Sequence, residues 1–165
     1  MKDYLLTIQA YINMALWLLK HTGKSYTVYN GIKVILDDTF MRSYGFEIAC
    51  AFKFLGFKFI VVDSTFPFAD ESIKAFLLAH EYAHLTLQGA FKKESAMQKQ
   101  ENRIQAILDG KVYAEELMAD AYAVSVIGAV PAVHALNALK ENLHPFNGFG
   151  IEEIELRIQK IQEVS

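Results

Sequence analysis

The chain has 165 residues, a length that favours one compact domain and leaves little room for two. Its formal net charge is -3 and it carries no dense stripe of Lys and Arg, which argues against nucleic acid as a partner. Although 53% of the residues are apolar, no uninterrupted apolar run reaches the roughly 18 to 20 residues of a spanning helix, so we expect no transmembrane segment.

The first predicted element is a helix from Tyr4 to about Lys20, in which apolar residues recur at helical spacing. We expect these residues to form its buried face: Leu5, Ile8, Ile12, Leu16 and Leu19.

Four strands are predicted next. Asn30-Gly31 separates the strand-like runs 26–29 and 32–36, and this dipeptide tolerates the positive φ angles of a two-residue hairpin turn best. Alternation of apolar and other residues over 46–54, followed by the run 57–62, indicates two further strands.

Helical spacing then returns and continues to the end of the chain. The predicted helices lie near residues 70–88, 93–108, 112–128, 131–142 and 150–163. One helix, a small sheet and then several helices are typical of an α+β fold, which we assign to a single domain over residues 1–165.

The segment around residue 80 carries the pattern that bears most directly on function. His80 and His84 are four residues apart on a predicted helix, so both imidazoles lie on one face and can bind one metal ion. Glu81 lies beside that face, where a carboxylate can act as the general base for a water molecule activated by zinc. The pattern therefore predicts a zinc hydrolase, here a peptidase, with Zn²⁺ as its cofactor.

A third ligand is expected downstream, because catalytic zinc normally has three protein ligands and one open position. Glu116 and Asp120 share a helix face, so Glu116 can bind the metal while Asp120 accepts a hydrogen bond from a ligand histidine. Glu115 points about 100° away. An alternative is that Glu115 and Glu116 only favour the dipole of the helix that they begin.

These two segments resemble a known group. His80-Glu81-Tyr82-Ala83-His84 followed by Glu116-Leu117-Met118-Ala119-Asp120 is similar to the HExxH plus ExxxD signature of the gluzincin metallopeptidases, whose third zinc ligand is a glutamate. The Glu-x-x-Ala-Asp form resembles the family of the CAAX prenyl-protein endopeptidases and the heat-shock membrane protease, and the soluble minigluzincins. The resemblance implies a zincin-like fold with an N-terminal helix, a small, mostly antiparallel sheet, an active-site helix and C-terminal helices.

A donor for the oxyanion is also needed in peptide hydrolysis, and Tyr, His or Arg commonly supplies it. The candidates are Tyr122, His134, His144 and Arg157. His144-Pro145 and Arg157-Ile158 are similar to a His-Pro and an Arg-Ile pair of the same family, which favours His144 and Arg157 as catalytic residues.

The expected partner is a peptide or protein substrate, and the oligomeric state is open. Two alternatives are a regulatory protease of the ImmA/IrrE type acting on one partner protein, and a latent or zymogenic module that binds zinc. The N-terminus lacks the charge and continuity of a signal peptide, and a lone Cys50 makes no internal disulfide, so we expect a cytoplasmic protein.

Overall fold

The structure is a computed structural model, and it describes residues 2–21, 25–44, 48–87, 96–143 and 148–165. Over these residues it is mixed α+β, as predicted, with seven α-helices and one four-stranded sheet. The chain divides into two compact units, Met1–Ser64 and Thr65–Ser165, and each is described by itself. The single domain and the narrower zincin-like assignment stay predictions.

The first unit contains one long helix, two hairpins and a short helix between the hairpins. Its elements are α1 (Lys2–His21), β1 (Thr27–Tyr29), β2 (Ile32–Leu36), α2 (Asp38–Tyr44), β3 (Ala49–Phe54) and β4 (Phe57–Val62). The strand order is β1-β2-β4-β3. Each hairpin is antiparallel, whereas β2 and β4 pair in parallel at the centre, so the sheet is mostly antiparallel.

Both hairpin turns use the positive φ angles that the primed turn types require. Asn30 has φ 46° and Gly31 has φ 80°, which confirms the predicted turn. Leu55 and Gly56 repeat this geometry with φ 48° and 85°. The turns fix the register of the strands, with Tyr29 opposite Ile32 and Phe54 opposite Phe57.

Helix α2 was missed by the sequence reasoning. Asp37 precedes it, and its Oδ1 accepts a hydrogen bond from the backbone N–H of Phe40 at 3.0 Å, as expected of an N-capping residue. Phe40 and Met41 then pack into the core of this unit beside Cys50, which is buried with its thiol 3.7 Å from the Met41 sulfur. The sequence signal for this helix is weak, because it consists of a capping Asp followed by only seven helical residues.

The predicted buried face of α1 is wrong over its second half. Ile12, Leu16 and Leu19 are 47%, 59% and 72% exposed, while Met14 is buried and Trp17 is half-buried. Trp17 decides the orientation, because its indole N–H donates to Asp37 Oδ2 at 2.7 Å and its ring packs against aromatic side chains of the sheet and α2. The side chains of Leu5 and Ile8 lie outside the described residues.

The second unit is helical. A 3₁₀ turn at Phe66–Phe68 precedes the five helices, α3 (Glu71–Leu87), α4 (Ala96–Leu108), α5 (Ala114–Ile127), α6 (Ala129–Asn142) and α7 (Gly148–Glu163). All five predicted helices are confirmed, with ends within a few residues of those expected. Helix α3 contacts α5 and α6, and α7 contacts α4, α5 and α6.

Small side chains occupy several of the buried positions of α3 and α5, two helices that contact each other. Ala79 and Ala83 of α3 and Ala119 and Ala123 of α5 are each at most 1% exposed. Helix axes approach more closely when the contacting side chains are small. In each helix the alanines are four residues apart, and the polar residues predicted to bind a metal flank them on the same part of the helix surface.

Candidate metal centre

Helix α3 presents its two histidines as the sequence pattern predicts. His80 and His84 are one turn apart, and their side chains are 6% and 15% exposed. The two Nε2 atoms lie 3.1 Å apart, and the ring planes are nearly perpendicular, at 81°. Phe76 stacks on the other side of His80, with ring centroids 5.7 Å apart. Both imidazoles therefore aim the same nitrogen at one point.

Helix α5 brings Glu116 to that point. Its Oε2 lies 3.2 Å from His80 Nε2 and its Oε1 lies 3.6 Å from His84 Nε2. These three residues are the group of side chains in the described part of the chain that could hold a metal ion. Glu115, the neighbouring residue, faces elsewhere and pairs with Lys99 at 2.7 Å.

The spacing of the donor atoms fits zinc. Ligands of a tetrahedral zinc ion lie about 2.0–2.1 Å from the metal, which places them about 3.3 Å from one another. The observed distances between the donor groups are of that size: 3.1 Å between the two Nε2 atoms, 3.2 Å from His80 Nε2 to one Glu116 oxygen and 3.6 Å from His84 Nε2 to the other. Two imidazoles and one carboxylate are also a donor set of catalytic zinc sites, in which the fourth position stays open.

Asp120, one turn after Glu116 on α5, lies behind His80. Its Oδ1 is 2.9 Å from His80 Nδ1, and its side chain is 2% exposed. With the proton on Nδ1, this hydrogen bond leaves the lone pair of Nε2 for a metal and fixes the plane of the ring. The structure thus gives Asp120 the contact that the sequence predicts for it.

Arg157 of α7 lies among the carboxylates. Its Nε donates to Asp120 Oδ2 at 2.7 Å and its Nη2 donates to Oδ1 at 2.6 Å, while its Nη1 lies 3.5 Å from Glu116 Oε2. The side chain is 9% exposed. This geometry holds Asp120 and Glu116 in place, so the contacts of Arg157 are with protein groups rather than with an open cleft.

The charges of the centre attract a cation. Burial and the positive charge of Arg157 would lower the pKa of His80, but its hydrogen bonds to Asp120 and Glu116 outweigh them and raise that pKa to about 9. Burial and the neighbouring His80 lower the pKa of His84 to about 4. At neutral pH the metal-free centre therefore carries one additional proton, which makes His80 an imidazolium, and a metal ion would take the place of that proton.

Both carboxylates stay ionised in spite of their burial. Burial would raise the pKa of Glu116, yet His80, Arg157 and Arg103 hold it well below its usual range. Arg157 and His80 likewise lower the pKa of Asp120 against the effect of burial. An ionised Glu116 is the form that binds a metal.

A second ion pair, which the sequence reasoning did not identify, adjoins the centre. Arg103 of α4 donates to both carboxylate oxygens of Glu153 of α7, and its Nη1 lies 3.7 Å from Glu116 Oε1. Glu153 is 4% exposed. The available signal was spacing, because Lys99 and Arg103 on α4, and Glu153 and Arg157 on α7, are each four residues apart.

The remaining candidates lie as follows. Glu81 follows His80 on α3 and is 8% exposed. Tyr122 is half-buried and packs against Tyr82, with ring centroids 5.7 Å apart. His134 is exposed on α6. His144 lies outside the described residues.

Comparison with protein-family models, curated proteins and solved structures finds no match to this chain. The resemblance to the gluzincins therefore stays a prediction that rests on the two motifs. Among the helices of the described residues, none combines the length and the apolar character needed to cross a membrane.

Proposed function

We propose that this chain is a zinc-dependent endopeptidase that hydrolyses peptide bonds. The observation that carries the proposal is the convergence of donor groups from His80, His84 and Glu116, whose separations of 3.1, 3.2 and 3.6 Å are of the size expected between ligands of one tetrahedral zinc ion. A carboxylate, Glu81, follows the first histidine on the same helix. Imidazole and carboxylate also bind other divalent ions, and zinc is favoured by this donor set.

When bound, zinc would lower the pKa of a water molecule and polarise the scissile carbonyl group. His80 and His84 would hold the ion through neutral Nε2 atoms, and Asp120 would keep the His80 proton on Nδ1. Glu81 would take one proton from the water molecule as the oxygen of that water bonds to the carbonyl carbon. It would then pass that proton to the amide nitrogen as the C–N bond breaks, which releases an acid and an amine.

The substrate class is a peptide or protein segment, and the compartment that we propose is the cytoplasm. A regulatory protease acting on one partner protein would use the same centre and differ only in substrate range. A latent module would hold the metal without turnover. The test below separates these possibilities from a chain that holds no metal.

The test compares two neighbouring glutamates of α5 that point in different directions. Metal content is measured by mass spectrometry on wild-type protein, Glu116→Ala and the matched control Glu115→Ala, which loses an ion pair with Lys99 and is not one of the metal donors. Casein hydrolysis is measured on the same samples and on Glu81→Gln. We expect about one zinc per chain in wild type, Glu115→Ala and Glu81→Gln, loss of zinc in Glu116→Ala, and loss of hydrolysis in both Glu116→Ala and Glu81→Gln.

A wild-type chain that holds no zinc after supplementation would contradict the proposal outright. Equal zinc content in Glu116→Ala and Glu115→Ala would remove Glu116 from the ligand set. Zinc bound by His80 and His84 without casein hydrolysis would leave the metal site standing and favour the latent module or the selective regulatory protease.

A further inference from the structure

We infer that Arg103 is a catalytic residue, which donates a hydrogen bond from Nη1 to the oxygen of the scissile carbonyl as negative charge develops there, and that Glu153 positions it. The inference rests on the proposed function and adds a residue that neither metal motif contains. Stabilisation of this oxygen by a fixed donor is often the largest contribution to catalysis of acyl transfer.

The orientation of the Arg103 side chain is fixed by Glu153. Nε lies 2.8 and 2.9 Å from the two carboxylate oxygens, and Nη2 lies 2.7 Å from Oε2. A planar guanidinium that is held along one edge in this way has its remaining nitrogen pointed in a set direction. Glu153 is buried, and a buried carboxylate is costly unless it is paired, so the pair is held together strongly.

The remaining nitrogen points to the metal donors. Nη1 lies 3.7 Å from Glu116 Oε1, the same oxygen that is 3.6 Å from His84 Nε2. This distance is longer than a hydrogen bond, so Glu116 does not engage Nη1 as it would a bonded donor. A substrate oxygen bound beside Glu116 would come within reach of Nη1.

Exposure distinguishes the two guanidinium groups beside Glu116. The Arg103 side chain is 40% exposed, whereas that of Arg157 is 9% exposed and is bonded to Asp120 through two nitrogens. A substrate approaching from solvent can therefore reach Arg103, while Arg157 acts on the protein's own carboxylates. We therefore assign the oxyanion donor to Arg103 of α4 and not to Arg157, the arginine that the sequence suggested.

Lys99 supplies a matched control. It precedes Arg103 by one turn on α4, its side chain is 34% exposed, and it pairs with Glu115, as Arg103 pairs with Glu153. Its partner is not one of the metal donors. Lys99→Met therefore removes a similar ion pair from the same helix while leaving every metal donor and its contacts with Arg103 and Arg157 in place.

The experiment measures binding of an N-phosphoryl dipeptide, whose tetrahedral anionic oxygens imitate the developing oxyanion, to zinc-loaded protein by calorimetry. We expect Arg103→Met to weaken binding roughly 10- to 100-fold, as for loss of one charge-assisted hydrogen bond, and Lys99→Met to change it less than about 3-fold. The kcat for casein peptides should fall with little change in KM. Zinc affinity, measured by chelator competition, should stay within a few-fold of wild type.

Two further variants separate contact from folding and positioning. Arg103→Met leaves Glu153 buried without its partner, so Arg103→Met/Glu153→Met, which replaces both members by apolar groups, serves as the variant that folds. It should bind the phosphoryl dipeptide as weakly as Arg103→Met does. Glu153→Gln should weaken binding when Arg103 is present and have no further effect once Arg103 is replaced by Met.

Unchanged binding of the phosphoryl dipeptide in Arg103→Met and in the double variant would overturn the inference and leave the proposed function intact. Loss of zinc affinity in these variants would also overturn it, since Arg103 would then serve the Glu116 ligand instead of the substrate. A wild type that holds zinc but does not bind the dipeptide would contradict the inference alone. A wild type that holds no zinc would contradict both the inference and the proposed function.

Discussion

The pair formed by Asp120 and Arg157 allows the sharpest test of the buried network. Asp120→Asn keeps the shape of the side chain and removes its charge, so the Arg157 guanidinium, 9% exposed, loses the partner that it contacts at 2.6 and 2.7 Å. Breaking a buried ion pair by removing one member costs about 3–5 kcal/mol. Glu116 remains 3.5 Å from Arg157, so we expect a cost near the lower end, about 3 kcal/mol.

Arg157→Met should cost a similar amount, because Asp120 is then left with His80 as its partner. The double variant Asp120→Asn/Arg157→Met removes both charges, so neither charge is left buried without its partner. Its cost should therefore be well below the sum of the two single costs, with a coupling energy of about 2–3 kcal/mol. For a chain of this size, a cost of 3 kcal/mol corresponds to a Tm lower by about 6–12 °C.

The assay is denaturant unfolding in the presence of a chelator, so that metal binding does not contribute. Far-ultraviolet circular dichroism follows the helices that hold the network, whereas the single tryptophan, Trp17, lies in the other compact unit and is recorded separately. The control is the exposed pair Lys140 and Glu155, 3.5 Å apart with side chains 31% and 59% exposed, for which we expect a coupling of at most about 0.5 kcal/mol.

Additive effects of Asp120→Asn and Arg157→Met, within about 0.5 kcal/mol, would refute the reasoning, because they would show that the two side chains do not depend on each other. With zinc present, Asp120→Asn should also lower the metal affinity about 10- to 100-fold, since the hydrogen bond to His80 Nδ1 then lacks a charged acceptor. An unchanged zinc affinity would show that the network stabilises the fold without contributing to metal binding.

Two further predictions concern other parts of the chain. Burial would raise the pKa of Asp37, but hydrogen bonds from Phe40 and Trp17 lower it, so the ionised carboxylate stabilises the fold above the ordinary pKa of 3.8 and this effect is lost as the pH falls through the lowered pKa. Asp37→Asn should therefore cost about 1 kcal/mol of unfolding free energy at neutral pH and nothing in acid, as measured by tryptophan fluorescence. A cost that does not depend on pH would contradict this prediction. Ala123→Leu should destabilise the chain by about 1–3 kcal/mol and weaken zinc binding, because Ala123 is fully buried. The control Ala121→Leu, at an exposed position of the same helix, should do neither. Equal effects of the two variants would contradict the close packing of α5.

The network around the metal donors explains how so many charges are buried together. Glu116, Asp120 and Glu153 supply three carboxylates, and Arg103 and Arg157 supply two guanidinium groups, which leaves an excess of one negative charge. A proton on His80 balances that excess in the metal-free protein. A divalent cation in the same place would be attracted for the same reason.

Much of the fold was predictable from the sequence, because it depends on spacing within single elements. Backbone hydrogen bonding fixes 3.6 residues per helical turn, so His80 and His84 had to share a face, and so did Glu116 and Asp120. The turn at Asn30-Gly31 followed from the positive φ angles that these residues tolerate. Helix α2 escaped because seven residues carry too little periodicity to be recognised.

The contacts between elements were decided only by the tertiary structure. No sequence pattern orients Trp17 of α1 toward Asp37, or joins Arg157 to His80 across 77 positions of the chain, because such contacts depend on how helices and strands pack. The pairing of Arg103 with Glu153 is of the same kind. The sequence by itself determined which residues can bind a metal, and the packing of α5 against α3, of α7 against α5 and of α4 against α7 determined which charges surround it.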